Sequence, residues 1–444
     1  MGASTVSPSI LTMRQSVAGA HLRERDGSEP QFRSLRFFVG LFLASSIALT
    51  LNYLGFAWTE IKVFRYSILG VASVLMLRFL RHTRLSSQGV AWLASALYAF
   101  ATVVYTSDLP ATVLRSTAFL GLTIAAFLGG FTCYRQTDSM QLRLPRRIAG
   151  LLAVLGIPSF VGLVLGAPAG FYFRGILFRG LFCHPNTLGG FASLWLVVGV
   201  GVYDSRPLRH RRLVLAGLVA MAFVLLGSRS RGGIGGTLIV TAFYFLTTRR
   251  VGRVVFSAVS LAVLASVLFI VLPSTSYIAS QEATSLVFKG ESNDVLFSRR
   301  DVWEIGIENF EASPWLGHGF GTSVGEDSGE WKIVDLSGRE KGNAYLAILE
   351  ETGLVGSPIM VLPVGLCLLM GVRLKRLNLT LIGNARELVS DTRLATAFWA
   401  GAVGGIVNNF AESSLWSPGA PIGGLTLFLA GAAEGLMLRT EGRK

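Results

Sequence analysis

Apolar runs of roughly twenty residues recur along most of the 444-residue chain, separated by short polar connections. They fall near residues 36–58, 63–80, 88–106, 111–133, 148–167, 186–203, 212–228, 232–248, 253–273, 354–372, 394–410 and 420–438. A hydrocarbon core about 30 Å thick is crossed by about 20 apolar residues in a helix, and a helix satisfies its own backbone there. The pattern therefore predicts an all-α fold, a polytopic transmembrane helical bundle of about twelve spans. One interval breaks the alternation. Residues 273–342 are polar and rich in carboxylates, yet carry Trp303, Ile307 and Phe310 at i, i+4 and i+7, which predicts a short helix inside a large loop. The expected organisation is an arm at 1–35, nine spans over 36–273, one large loop at 274–342, three spans over 343–438 and a tail at 439–444.

Charge adds the orientation. Basic residues concentrate in the arm, at 81–84, 135–147, 206–212, 249–253 and 373–393, and in the tail, and they alternate with connections poorer in them. The positive-inside rule makes both termini cytoplasmic and the 274–342 loop periplasmic. The same distribution absorbs most of the net charge of +14, so anionic lipid headgroups suffice as partners and no nucleic-acid partner is expected. The first 34 residues hold no apolar core, so the first span is expected to remain as an anchor. Cysteines at 133, 183 and 367 stand singly, with no disulfide framework and no metal-ligand spacing.

Arginine on the outer side is what the orientation rule does not explain. Arg174 and Arg179 precede Cys183-His184-Pro185-Asn186; Arg229 and Arg231 lie in a Gly-Ser-Arg-Ser-Arg-Gly-Gly turn; Arg299 and Arg300 open the helix of the large loop. The guanidinium fork matches phosphate oxygens in pairs and stays charged near a membrane. Convergent forks at the outer leaflet would bind a lipid-linked phosphate or diphosphate. Any one of them could instead snorkel to the interface or pair with a loop carboxylate. Glycines at 232 and 236 and at 401 and 405 have the spacing of close helix contacts.

Five blocks then stand in order: Gly180-Leu-Phe-Cys-His-Pro-Asn186; Ser230-Arg231-Gly232; Arg299 ahead of Trp303; Pro314-Trp-Leu-Gly317-His-Gly319; and Asn343-Ala-Tyr345-Leu with Glu351-Thr-Gly353-Leu-Val-Gly356. Together they resemble the O-antigen ligase and O-antigen polymerase superfamily, over residues 171–413. Asn409-Phe-Ala-Glu412-Ser413 is similar to what exopolysaccharide polymerases of the superfamily carry. The resemblance implies a bacterial inner-membrane glycosyltransferase with no metal, cofactor or nucleotide sugar, its active site facing the periplasm. It would take an undecaprenyl-diphosphate-linked oligosaccharide and pass the glycan to an acceptor, either a carrier-linked repeat or lipid A core. A chain-length regulator is a further partner of such enzymes. By the same resemblance Arg231 and Arg299 would neutralise the leaving diphosphate, with Arg179 and Arg229 as additional candidates, and Asn186, Trp303, Asn343 and Tyr345 would face the glycan.

The chain departs from the ligase pattern at one position. The ligases resemble His-Asn, nine residues, then Gly-x-x-Gly, and here Gly342 stands in place of the histidine. Glycine cannot accept a proton, so the candidate bases are His184, His318, Glu351 and Glu412. His318 is expected to be exposed in its Gly-His-Gly turn, and Glu350 and Glu351 to be capping or solvated. Trp303, Trp331 and Trp416 are further candidates for stacking on sugar rings. A flippase or polysaccharide exporter is the alternative of another class. It calls for charged residues deep in several spans and internal pseudo-symmetry, neither of which is evident.

Overall fold

The computed structural model describes residues 34, 36–48, 58–80, 84–136, 138–165, 172–173, 177–182, 184–205, 211–249, 297–322, 342–381, 386–410, 412, 414–418 and 420–443. The expected span at 253–273 and most of the 274–342 loop lie outside these residues, as do Arg174, Cys183 and Trp331.

Among the described residues the chain is helical apart from one short antiparallel pair. The helices are α1 (Arg36–Ala48), α2 (Trp58–Leu80), α3 (Ser87–Ala101), α4 (Leu109–Leu122), α5 (Gly129–Gln136) and α6 (Asp138–Val164). After the pair β1 (Tyr172–Phe173) and β2 (Leu177–Phe178) come α7 (Pro185–Ser205), α8 (Arg211–Gly227) and α9 (Arg231–Thr247). The remainder are α10 (Phe297–Ala312), α11 (Ala344–Thr380), α12 (Arg386–Asn408) and α13 (Pro421–Glu441). A π-helical turn, Thr123–Leu128, joins α4 to α5 without a bend into solvent, so Leu109–Arg135 forms one stretch.

Among the described residues five stretches are long and apolar enough to cross a membrane: Ser87–Val104, Leu109–Arg135, Pro185–Asp204, Ala344–Thr380 and Pro421–Glu441. The expected run at 253–273 and part of that at 36–58 lie outside the described residues; for two of the others the difference from the expected twelve has physical causes. At 1.5 Å per residue the 17 residues of α9 reach about 25 Å, and the first turns of α12 carry Arg386, Glu387, Asp391 and Arg393.

The starts of the helices follow from local chemistry. Ser86 caps α3 by accepting from the N–H of Gly89 (3.0 Å), and Asp108 caps α4 by accepting from Ala111 (3.0 Å). Pro185 and Pro421 open α7 and α13, where a missing N–H costs nothing. The core forms around α12, which packs on α7, α9, α11 and α13, while α13 also packs on α5. Small residues set these distances. A Cβ at Gly404 would press on the carbonyl of Ser193 in α7, and one at Gly435 on the carbonyl of Phe131 in α5.

The expected apolar run at 354–372 begins ten residues earlier as a helix, and α11 is broken at Gly353 (φ 61°, ψ −169°). Residues 314–319 dock into the break. In an unbroken helix Leu354 and Val355 would donate to the carbonyls of Glu350 and Glu351. Here Leu354 donates to Pro314 O (2.8 Å) and Val355 to Trp315 O (3.1 Å), while the freed carbonyls of Glu350 and Glu351 accept from His318 N (3.2 Å) and Gly319 N (2.9 Å). Two helical bonds are opened and four bonds to the loop replace them. In a membrane an opened backbone turn must be satisfied from within the protein, and the Pro-Trp-Leu-Gly-His-Gly block does so. The two glycine-bearing blocks are therefore halves of one structural unit.

That unit also seats α10. Asn309 Nδ2 donates to Glu350 Oε1 (2.8 Å), His318 Nε2 bonds Asn309 O (2.8 Å), and Gly321 N donates to Glu351 Oε2 (2.8 Å). The buried position of α10 centres on Gly306, so Ile307, expected on the inner stripe, is exposed. Phe320 N donates to Thr102 Oγ1 (2.9 Å) and Ser107 N to His318 O (3.1 Å), which ties the loop to the α3–α4 turn.

Candidate active site

One end of the bundle gathers the N-termini of α7, α9, α11 and α13 with the C-terminus of α12. Gly189 of α7 and Gly233 of α9 meet closely: a Cβ on Gly233 would overlap the backbone of Gly189, and one on Gly189 the side chain of Ser230 at the start of α9. Gly233, rather than the expected Gly232, makes this close approach, and Gly236 is in ordinary contact with Ser193. On the other side of α7, Gly190 faces Asn408 of α12 and Ile422 of α13. Ala344 N, at the start of α11, donates to Asn409 O (2.9 Å) and to Glu412 O (3.1 Å).

This geometry assembles sequence blocks that lie far apart in the chain. His184 and Asn186 open α7; Arg229 and Arg231 flank the start of α9; Asn343 and Tyr345 open α11; Asn409 and Glu412 follow α12. Each helix N-terminus presents backbone N–H groups and a partial positive charge. Arg231 is the first residue of α9, where a cation is opposed by the helix dipole, and an anion bound there would relieve that opposition. Arg229 holds left-handed backbone (φ 52°), which costs a non-glycine residue about 1–2 kcal/mol. Ser230, between them, is buried. Arg179 follows β2 on a turn whose Leu181 N donates to Ser159 Oγ of α6 (3.3 Å) and whose Phe182 N donates to Arg179 O (3.1 Å).

The candidate bases have different surroundings. His184 Nδ1 accepts from Asn186 N (3.1 Å), so the neutral ring carries its proton on Nε2 and serves as the cap of α7. His318 is half-buried rather than exposed, because its Nε2 is held by Asn309 O, and it belongs to the junction of α10, α11 and the α3–α4 turn. Glu350 and Glu351 are buried, not solvated, since they hold Asn309 and Gly321 as described. Glu412 is half-buried, with its carbonyl on the first N–H of α11.

The residues expected to face glycan divide similarly. Asn343 Oδ1 caps α11, accepting from Tyr345 N (3.0 Å) and Leu346 N (3.2 Å). Tyr345 donates its hydroxyl to Ile406 O (3.0 Å), and its ring lies 4.4 Å from that of Phe410 and 5.4 Å from that of Trp416. Trp416 is fully buried, which removes it from the stacking candidates, whereas Phe410 is exposed on the same aromatic group. Trp303 is half-buried on α10. Arg299 lies in the first turn of α10, and its side chain is outside the described residues.

Asn409 orders the segment after α12. Its Oδ1 accepts from Ser414 N (2.8 Å) and Leu415 N (2.7 Å), and its Nδ2 donates to Gly405 O (2.6 Å). A family model described as O-antigen ligase matches residues 216–361. The match covers about a third of the chain and includes Arg229, Arg231, α10 and the docked break in α11. It agrees with the O-antigen ligase and polymerase superfamily that the ordered blocks resemble, and it suggests a membrane enzyme of ligase or polymerase type. With its long apolar helices, the chain is an integral membrane protein. No curated protein matches it.

One residue was missed by reading the sequence. Arg115 of α4 lies within an apolar run, where averaging conceals a single charge; an arginine at that depth is itself the signal.

Proposed function

We propose that this chain is a glycosyltransferase of the bacterial inner membrane that polymerises glycan repeat units carried on undecaprenyl diphosphate. Its active site is the gathered helix end, facing the periplasm, and a carrier-linked repeat is the acceptor. The bond from the anomeric carbon to the diphosphate breaks, a bond to the acceptor hydroxyl oxygen forms, and the hydroxyl proton passes to a base. Arg231, at the N-terminus of α9, and Arg299, on α10, neutralise the departing diphosphate. Arg229 and Arg179 extend the positive surface.

The observation that carries this reading is the meeting of Gly189 with Gly233. It brings the His184–Asn186 block beside Arg231, and the Asn343 and Asn409 blocks adjoin the same end. Transfer to lipid A core is the second reading. Polymerisation is favoured because Asn409 and Glu412, from the block similar to exopolysaccharide polymerases, both accept from Ala344 N at that end.

The test is turnover of a defined carrier-linked repeat by the purified protein, with products sized on a gel. High-mass carbohydrate with release of carrier diphosphate supports polymerisation. Transfer confined to lipid A core supports ligation, and no transfer to either acceptor defeats the proposal.

A further inference from the structure

Arg115 is the seventh residue of the Leu109–Arg135 stretch, about 9 Å along the helix from its start. An arginine so placed ordinarily snorkels outward. This one is only partly exposed. The turn at Gly321 packs on its aliphatic stem, and Phe320 stacks on Phe119 one turn further along α4, with ring centroids 5.4 Å apart. The Nη1 atom is fully enclosed and finds no hydrogen-bond partner among the described residues. Glu351, the neighbouring carboxylate, turns Oε2 to the N–H of Gly321, and its Oε1 is likewise enclosed with no hydrogen-bond partner among the described residues. An enclosed donor on a cation is costly when unmatched, and no hydrogen bond joins Nη1 to Glu351, so an anion reaching the guanidinium from its exposed side would supply the missing partner.

The position names the chemistry of that anion. Arg115 stands under the turn between α3 and α4 and beside the loop docked in α11, at the end of the bundle from which α11 starts. The planar fork binds phosphate oxygens well, and a low-dielectric wall strengthens the contact. We propose that Arg115 binds a phosphate group, that of the lipid-linked substrate or that of a phospholipid headgroup. The substrate assignment rests on the function proposed above; phosphate binding does not.

The test uses the full chain and two probes. Inorganic diphosphate is titrated calorimetrically into detergent-solubilised protein, and thermal stability is compared in nanodiscs of phosphatidylglycerol and of phosphatidylcholine. Arg115→Met keeps the volume and removes the charge. It is expected to weaken diphosphate binding at least tenfold, with Arg115→Lys recovering part of it, while the unliganded melting temperature stays level or rises because an unmatched buried charge is gone. Loss of the phosphatidylglycerol stabilisation alone assigns the phosphate to a headgroup. The proposal is overturned if neither probe distinguishes Arg115→Met from wild type, including the case where wild type binds neither. It is overturned equally if Arg115→Met lowers the unliganded melting temperature by several degrees, which marks an internal counter-charge. Arg231→Ala in the same titration separates the two readings. If it binds diphosphate normally while Arg115→Met does not, the Arg231 site falls and this inference stands; the reverse result removes Arg115 alone.

Discussion

Gly317 and Gly353 face each other across the break in α11, both in left-handed backbone (φ 70° and 61°), and neither has room for a Cβ. A Cβ on Gly353 would run into the carbonyl group of Trp315, and one on Gly317 into the backbone of Glu351. Their smallness permits the four-bond exchange that seats α10. Through that seat the loop bearing Arg299 acquires a fixed position on a membrane helix.

Gly353→Ala is therefore expected to destabilise the docked loop by about 2–4 kcal/mol. About 1–3 comes from forcing alanine into the φ 61°, ψ −169° backbone that glycine alone occupies readily, and the remainder from loop bonds worth about 0.5–1.5 kcal/mol each. Hydrogen exchange should quicken at the amides of His318, Gly319, Leu354 and Val355, with little change in α7 or α13. Unchanged protection at those four amides would show that the exchange does not hold the loop.

The diphosphate clamp is checked by substitution. Arg231→Ala and Arg299→Ala should each reduce product at least a hundredfold while protein remains in the membrane, the range for losing a donor that stabilises developing charge. Arg299→Lys should rescue poorly, because a point charge does not reproduce a planar fork. Turnover near wild type in both alanine variants would sink the assignment.

How much of this was readable beforehand depends on the range of the interactions involved. Helices occur at most of the apolar runs because lipid-facing helices need only composition and length. The early start of α11 was hidden, since Glu350, Glu351, Thr352 and Gly353 look like a polar turn and are buried only by contacts to residues 309–321. The stripe of α10 was rotated for the same reason: Gly306, which lacks a side chain to signal burial, is the buried position while Ile307 turns out. Motif order identified the blocks, but only the Gly189–Gly233 approach reveals which of them touch.

Orientation has a direct check. In a background with Cys183 replaced by serine, Ser328→Cys should react in intact cells with a thiol reagent that cannot cross the membrane, and Ser205→Cys should not. Ser205 ends α7, at the end opposite His184 and Asn186. Labelling at position 205 alone would place the gathered helix end in the cytoplasm and remove access to an outer-leaflet donor.

The proton acceptor is the last question, and the structure separates the candidates. His184 Nδ1 is committed to the cap of α7, so His184→Ala should cost about 1 kcal/mol of stability, as lost caps do. His318→Ala should free Asn309 O and loosen α10 from the docked loop, seen as faster exchange there rather than as a changed chemical step. Glu412 joins the gathered end through Ala344, and if it accepts the hydroxyl proton, Glu412→Gln should lower kcat by about 10² to 10⁴ with donor binding retained. Gly342→His is the matching control. Gly342 holds φ 57°, so a side chain there adds about 1–2 kcal/mol of backbone strain, and it should not restore turnover to Glu412→Gln. If Glu412→Gln stays within about tenfold of wild type, below the range for general-base loss, transfer proceeds by substrate positioning and arginine neutralisation, with the hydroxyl proton leaving to water.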